Sequence, residues 1–338
     1  QAKHSSEQIK DFIRENLTRH QKDIIKATIL KFGLSRQAIL KHMHTLISED
    51  RVVAHGKTRD RFYELLPLVN FSQTIDVNAS FSPDKILKKK IIPNLESVPL
   101  NIYEICEFSI MALLANTLDH SQATKLNYKL YISPNDVHFV LSDNGIGIFE
   151  NLNNSLILED IQVAAIEIAK GRITTDPQNH GGDELMTVIH LFDKVAIDAS
   201  GISLSFHNNN NEWTVTRSSQ QIGTRIHLEI KLNSRRTCQE VFKKIFDQDG
   251  KMVRIPVNLV RSKNEQVNSR IQAQSLLHNL KDLTEIEFDF QNIDFIGPAF
   301  ADELVRKTKE KNQIADISWI NSTKMVDVLM SRAMNRLT

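Results

Sequence analysis

Thirteen residues, DVHFVLSDNGIGI (136–148), constrain the chain more than any other stretch. An alternating apolar strand runs without a break into Asp143, Gly145 and Gly147. Glycines at such a position let the backbone approach a ligand closely, whereas Asp-Asn-Gly taken alone reads as a hairpin turn. The segment before it, ICEFSIMALLANTLDHS (105–121), is an apolar helix that carries polar groups. Ala112, Asn116, Asp119 and His120 recur three or four residues apart, so they share a face and can point at one ligand. The strand KLNYKLYIS (125–133) lies between the two, giving helix, strand, strand and glycine turn in succession.

The rest of the 338-residue chain is too long for one comfortable core, and 41% hydrophobic with 25% charged residues is ordinary for globular domains. Two or three domains are expected. No run of about 18 apolar residues exists to span a bilayer, and the start QAKHSSEQIK lacks the apolar core of a signal peptide; a cytoplasmic protein with no membrane partner is expected. Cys106 and Cys238 are the two cysteines, far apart in sequence and without metal-ligand spacing, so both read as buried thiols. Net charge is +1, but residues 1–65 hold 13 basic against 8 acidic residues while the remainder holds 29 against 33. The amino-terminal piece is therefore the one suited to a polyanion.

In that piece, Ile9, Phe12, Ile13 and Leu17 mark one helix and Ile24, Ile25, Thr28 and Ile29 a second. Gly33 supplies a turn, Ser35 caps a third helix, and Ile39, Met43, Leu46 and Ile47 form its buried stripe. RVVAHGKTRDRFYEL (51–65) reads as two strands around a basic hairpin, with Val52, Val53, Phe62 and Tyr63 inward and Lys57, Arg59 and Arg61 outward. Residues 5–65 resemble winged-helix transcription regulators. The resemblance implies that Arg36, Gln37, Lys41 and His44 face DNA bases or backbone, that Lys57, Arg59 and Arg61 contact phosphate, and that the protein works as a homodimer. Leu40 on that face suits either a thymine methyl or a protein surface.

The Asn-bearing helix followed by a strand ending in DNGIG resembles the GHKL superfamily of ATP-binding domains, which includes histidine kinases. The resemblance implies that Asn116 ligates Mg2+ on the phosphates of ATP and that Asp143 accepts the adenine amino group. Asp119, Gly145 and Gly147 accompany them. AKGRITTDPQNHGGDELMTVIHLFDKV (169–195) resembles the lid and second glycine box of a bacterial subfamily, and QIGTRIHLEI (221–230) its last strand, which implies nucleotide contacts at Lys170, Thr174, His180, Gly182 and Thr224. Two positions depart from the pattern. Ala112 stands where hydrolysing relatives carry the Glu that activates water, so little or no hydrolysis is expected. Glu184 replaces a glycine, and its charge beside a triphosphate weakens binding.

From 236 onward, helices and strands alternate, which implies a small α/β sandwich. IEFDFQNIDFIGPAFADEL (286–304) and ISWINSTKMVDVLMSRA (317–333) resemble STAS-like domains, through which a protein partner could bind. The turn Gly297, Pro298, Ala299, Phe300 has no hydroxyl to phosphorylate. Asp302 and Glu303 near the helix start read as stabilising, and Ser322 and Thr323 as caps of the last helix.

The expected fold class is thus multidomain α+β and α/β: a winged helix (1–66), a GHKL α/β sandwich (67–235) and a small STAS-like α/β domain (236–338). The leading functional expectation is a DNA-binding transcription regulator that uses ATP as a regulatory ligand. The alternatives are an anti-sigma-type ATPase or Ser/Thr protein kinase acting on a partner, and a nucleotide-free protein-interaction scaffold.

Overall fold

The computed structural model describes residues 5–158, 160–171, 183–246, 251–261, 266–280 and 283–336. It is a mixed α/β chain of several sheets, and contacts divide it into two compact units. Residues 1–73, 128–139 and 229–234 form the first; residues 74–127, 140–228 and 235–338 form the second.

The first unit opens with three helices. α1 (Ser6–Asn16) begins at Ser5, whose hydroxyl accepts from the Gln8 amide while the Gln8 side chain accepts from the Ser5 amide, so two otherwise orphaned donors are satisfied. α2 (Ile24–Phe32) stops at Gly33, which takes the left-handed φ of 65° that a side chain would resist. Ser35 then caps α3 (Arg36–Ser48) by accepting from the Ala38 amide at 3.2 Å. Strands β1 (Val52–His55) and β2 (Phe62–Leu65) pair antiparallel, Val52 opposite Leu65 and Ala54 opposite Tyr63. That register corrects the expected facing. Val52 and Tyr63 join the core of Ile9, Ile13, Ile39 and Met43, with Ala54 and Leu65 packed against it, so Val53 and Phe62 fall on the opposite face of a period-two ribbon. Phe62 there stacks on His55 with ring centres 4.7 Å apart. Leu40 is also packed against this core, which accounts for an apolar residue on an otherwise polar face.

Seven further strands make one sheet in the order β3-β4-β5-β9-β6-β7-β8: β3 (Val69–Asp76), β4 (Lys125–Ile132), β5 (Asp136–Asp143), β6 (Lys194–Ala199), β7 (Ile202–His207), β8 (Glu212–Arg217) and β9 (Thr224–Lys231). Every second residue of β4 and β5 is buried, the pattern of strands with one face on a core. The stretch 82–98, helical by pattern, begins as α4 (Pro83–Ile86), widens into a π turn at Leu87–Ile91 and ends as a 3-10 turn at Ile92–Asn94. Pro93 explains the break, since it has no amide proton to donate into an α-helical turn. α5 (Leu100–His120) buries nine of its residues. α6 (Ile148–Leu156), α7 (Ile161–Lys170) and α8 (Asp183–Leu191) follow the glycine turn. The HNNNN stretch forms the connection between β7 and β8, which pair antiparallel.

In the remainder of the second unit, α9 (Cys238–Phe246) precedes a three-stranded parallel sheet, β10-β11-β12, built from β10 (Met252–Pro256), β11 (Glu285–Asp289) and β12 (Asp316–Ile320). MVRIPVNLV (252–260) reads as one strand by pattern, but β10 ends early because Pro256 brings no donor for further pairing; a 3-10 turn takes over at Val257–Val260. Helices α10 (Arg270–Ser275), α11 (Pro298–Lys311) and α12 (Lys324–Asn335) complete it. Thr323 caps α12 as expected, while Ser322 bonds the Asp327 carboxylate instead. Among the described residues no helix is long and apolar enough to cross a membrane.

Candidate functional site

A cavity of about 120 Å³ opens in the second unit where α5, β5, the glycine turn and β9 converge. α5 contributes Leu113, Asn116, Thr117 and His120; β5 and its turn contribute Leu141, Asp143, Gly147 and Ile148; β9 contributes Thr224 and Ile226. Asn151 and Leu152 from α6, Ile168 from α7, and Glu184 and Leu185 from α8 close the remaining wall.

Asp143 is buried at the end of β5, and its position is fixed by the backbone. Oδ1 accepts from the Gly145 amide at 2.8 Å and from the Thr224 amide at 3.4 Å. Burial nevertheless pushes the carboxyl above the usual Asp range, because removing water disfavours the charged form more than the backbone donors restore it. The Thr224 hydroxyl in turn accepts from the Ile148 amide at 2.9 Å, tying β9 to the first turn of α6. Two glycines make this approach possible. A Cβ on Gly145 would stand 2.0 Å from the Ser121 carbonyl oxygen, and one on Gly223 would stand 2.0 Å from that of Asp143. The requirement at Gly145 is therefore the close passage of its own chain past the end of α5.

Of the residues singled out by sequence, the structure brings Asn116, Asp143, Gly147 and Thr224 to one cavity, with His120 beside them. Asp119 lies on the exposed side of α5, and Ala112 is buried within it. Thr174, His180 and Gly182 lie outside the described residues. Lys170 is not brought to the cavity: it is buried at the end of α7, ion-paired with Glu167. Glu184 does line the cavity. Pattern reading missed Thr117, Asn151, Leu152, Ile168 and Ile226. Thr117 stands three residues before His120, so the same spacing rule could have found it; the others are ordinary core or helix residues with no local signal.

In the first unit, Arg36, Gln37, Lys41 and His44 are all exposed along α3, as are Lys57 and Arg61 about the β1–β2 hairpin. The Arg61 guanidinium also lies 5.5 Å from the centre of the Tyr63 ring. The Arg59 side chain lies outside the described residues. Among the described residues, Asp136, His138 and Glu229 form a cluster with metal-ligand donor types. His138 lies 3.2 Å from Asp136 through Nε2 and 4.0 Å from Glu229 through Nδ1, so both ring nitrogens already face carboxylates.

Both cysteines sit in the second unit. Burial pushes the Cys106 thiol up to about 12 and the Cys238 thiol up to about 11, so neither is a thiolate near neutral pH.

The C-terminal part carries a parallel sheet with helices between its strands. Residues 272–327 match a family model described as a STAS-like domain of unknown function (DUF4325). A search of curated proteins finds no match for the chain. In the STAS-like domain, Gly297 is held against the preceding segment, its amide donating to the Val267 carbonyl at 2.8 Å. The exposed Pro298 and Ala299 follow at the start of α11. Glu303 is buried, accepting from Gln274 at 2.7 Å and Arg306 at 2.6 Å, and Asp302 pairs with Arg336. Both acidic residues are thus spent on structure. The domain also meets the β7–β8 connection, where Gln291 donates to the Asn210 carbonyl at 2.8 Å and Asn292 to Glu212 at 2.6 Å.

Proposed function

We propose that the protein is a DNA-binding transcription regulator whose middle domain has the GHKL fold and binds ATP with Mg2+ as a regulatory ligand. The observation that carries this reading is the buried Asp143 carboxylate, pinned at Oδ1 by two backbone amides in the cavity that Asn116 also lines. A fixed, desolvated acceptor among Leu113, Leu141 and Ile226 suits the amino group of a planar base. Asn116 offers a neutral oxygen, the hard donor that magnesium takes when phosphates supply most of its charge compensation. The donor set fits the group: Asn116 would hold the ion, Asp143 the adenine, and the ion would neutralise phosphate charge.

Enzymatic turnover has less support. Ala112 is buried and offers no base, and Glu167, the buried carboxylate of α7, is occupied by Lys170 and Asn279. The exposed basic residues of α3 and the hairpin support DNA as the partner, in the manner of a winged helix entering the major groove. Glu184 on the cavity wall favours a second reading, a scaffold that has given up nucleotide.

Calorimetric titration of the protein with Mg-ATP, beside Asn116→Ala, decides between them. Micromolar binding that is lost in the variant is the expected outcome. No heat in either protein, together with no nucleotide-induced rise in melting temperature, rejects the nucleotide reading and leaves the scaffold.

A further inference from the structure

α7 is more deeply buried than an ordinary covering helix, with eight of its ten residues out of solvent, two of them charged. Glu167 is fully buried and Lys170 is 8% exposed. Their ion pair is joined by groups from the STAS-like domain. Lys170 Nζ donates to the His278 carbonyl at 2.6 Å and the Leu276 carbonyl at 3.3 Å, which with Glu167 uses all three ammonium protons. Glu167 Oε2 accepts from Asn279 Nδ2 at 3.1 Å. From the other side, Lys311 at the end of α11 donates to the Leu277 carbonyl at 2.7 Å. Three consecutive carbonyls, 276 to 278, are therefore gripped by two lysines, one from each domain.

The same turn of α7 faces the cavity. Ile168, between Glu167 and Lys170 in sequence, lines it. We infer that the Glu167–Lys170 turn is the element through which an occupant of the cavity acts on the STAS-like domain, displacement of Ile168 being carried by the ion pair to segment 276–279. This rests on the nucleotide reading for the identity of the occupant. A buried pair whose three ammonium protons are all committed and whose two carboxylate oxygens each accept a bond does not stretch gradually, since moving one partner leaves an uncompensated charge in a dry site. It holds or it re-forms elsewhere, which is the two-state behaviour that coupling between sites requires. Lys170 acts here as a positioning residue: its ammonium is committed to the STAS-like domain.

The test uses the full chain, the double variant Glu167→Leu/Lys170→Met, and Asn279→Gly. The double variant replaces the pair by apolar side chains of similar length. Asn279→Gly removes the amide while keeping the left-handed φ of 49° at that position. Mg-ATP affinity is measured by calorimetry, and hydrogen exchange is followed at amides 276–280 with and without Mg-ATP. In the unaltered protein Mg-ATP is expected to change exchange at 276–280. In both variants affinity is expected to shift by about fivefold or more, the lower end of typical site–site coupling, and the exchange response to vanish. Mg-ATP binding without any change at 276–280 overturns the inference, as do variants that keep both affinity and response. A loss of affinity in the double variant with Asn279→Gly unaffected also overturns it, assigning Lys170 to direct phosphate contact. Absence of heat in the unaltered protein overturns this inference and the nucleotide reading together, whereas heat with no transmitted change overturns this one alone.

Discussion

Asp143 shows how one buried side chain can be both placed and poised. Its carboxyl titrates above the ordinary Asp range because burial outweighs the amides of Gly145 and Thr224. An acid with a raised value is protonated first as pH falls, and a protonated carboxyl loses an acceptor for an amino donor. Mg-ATP affinity is therefore expected to weaken as pH falls below neutrality, and the Asp143→Asn variant to lose that dependence, which separates the carboxyl from titration of the phosphates. Affinity that holds level into acid rejects Asp143 as the base-recognising group. The sequence made Asp143, Asn116, Gly147 and Thr224 legible because each sits on a strand end, a helix face or a glycine turn whose geometry is local. The partners of Lys170 in the structure were not legible. They include the carbonyls of Leu276 and His278, more than a hundred residues away, and no local pattern distinguishes a lysine bound there from one free to meet a phosphate.

Among elements, α3 depends on the residue that caps it. The Ser35 hydroxyl satisfies the Ala38 amide, and nothing acidic stands in the first turn to share that task. Ser35→Ala is expected to cost about 1 kcal/mol of unfolding free energy in urea, with the slope unchanged; a cost near zero would mean that the amide finds another partner. Helix and strand placement was largely readable where the pattern was strong, by alternation in β4 and β5 and by a long apolar run in α5. It failed where proline intervened: Pro93 broke the run after Ser82 and Pro256 shortened β10. It also failed at Val53 and Phe62. Both are apolar enough to be taken as core, yet the pairing of Ala54 with Tyr63 decides which face is inside.

At the scale of the whole molecule, the proposed contact with DNA rests on the exposed basic residues of the first unit. Arg36→Ala together with Lys41→Ala is expected to weaken DNA binding and to flatten its dependence on salt by about 2 in the log–log slope if both meet phosphate. An unchanged slope removes these residues from the interface. The alternation of elements made a mixed α/β chain with a STAS-like end readable, but the division into units was not, because it follows contacts rather than chain order. The first unit takes in residues 128–139 and 229–234 along with the amino-terminal residues.

That division bears on how such proteins can be recombined. Asn135, in the turn between β4 and β5, donates to the Arg14 carbonyl of α1 at 2.8 Å, and the Leu68 amide donates to the Ile132 carbonyl at 2.7 Å. A chimera spliced at residue 66 would set a foreign head against a turn that met the original one, and Asn135 would keep a partner only where the new helix brings a backbone carbonyl to the place the Arg14 carbonyl held. A graft that transfers residues 133–136 with the head keeps the seam whole, so exchange of the amino-terminal head must move two separated stretches of gene at once.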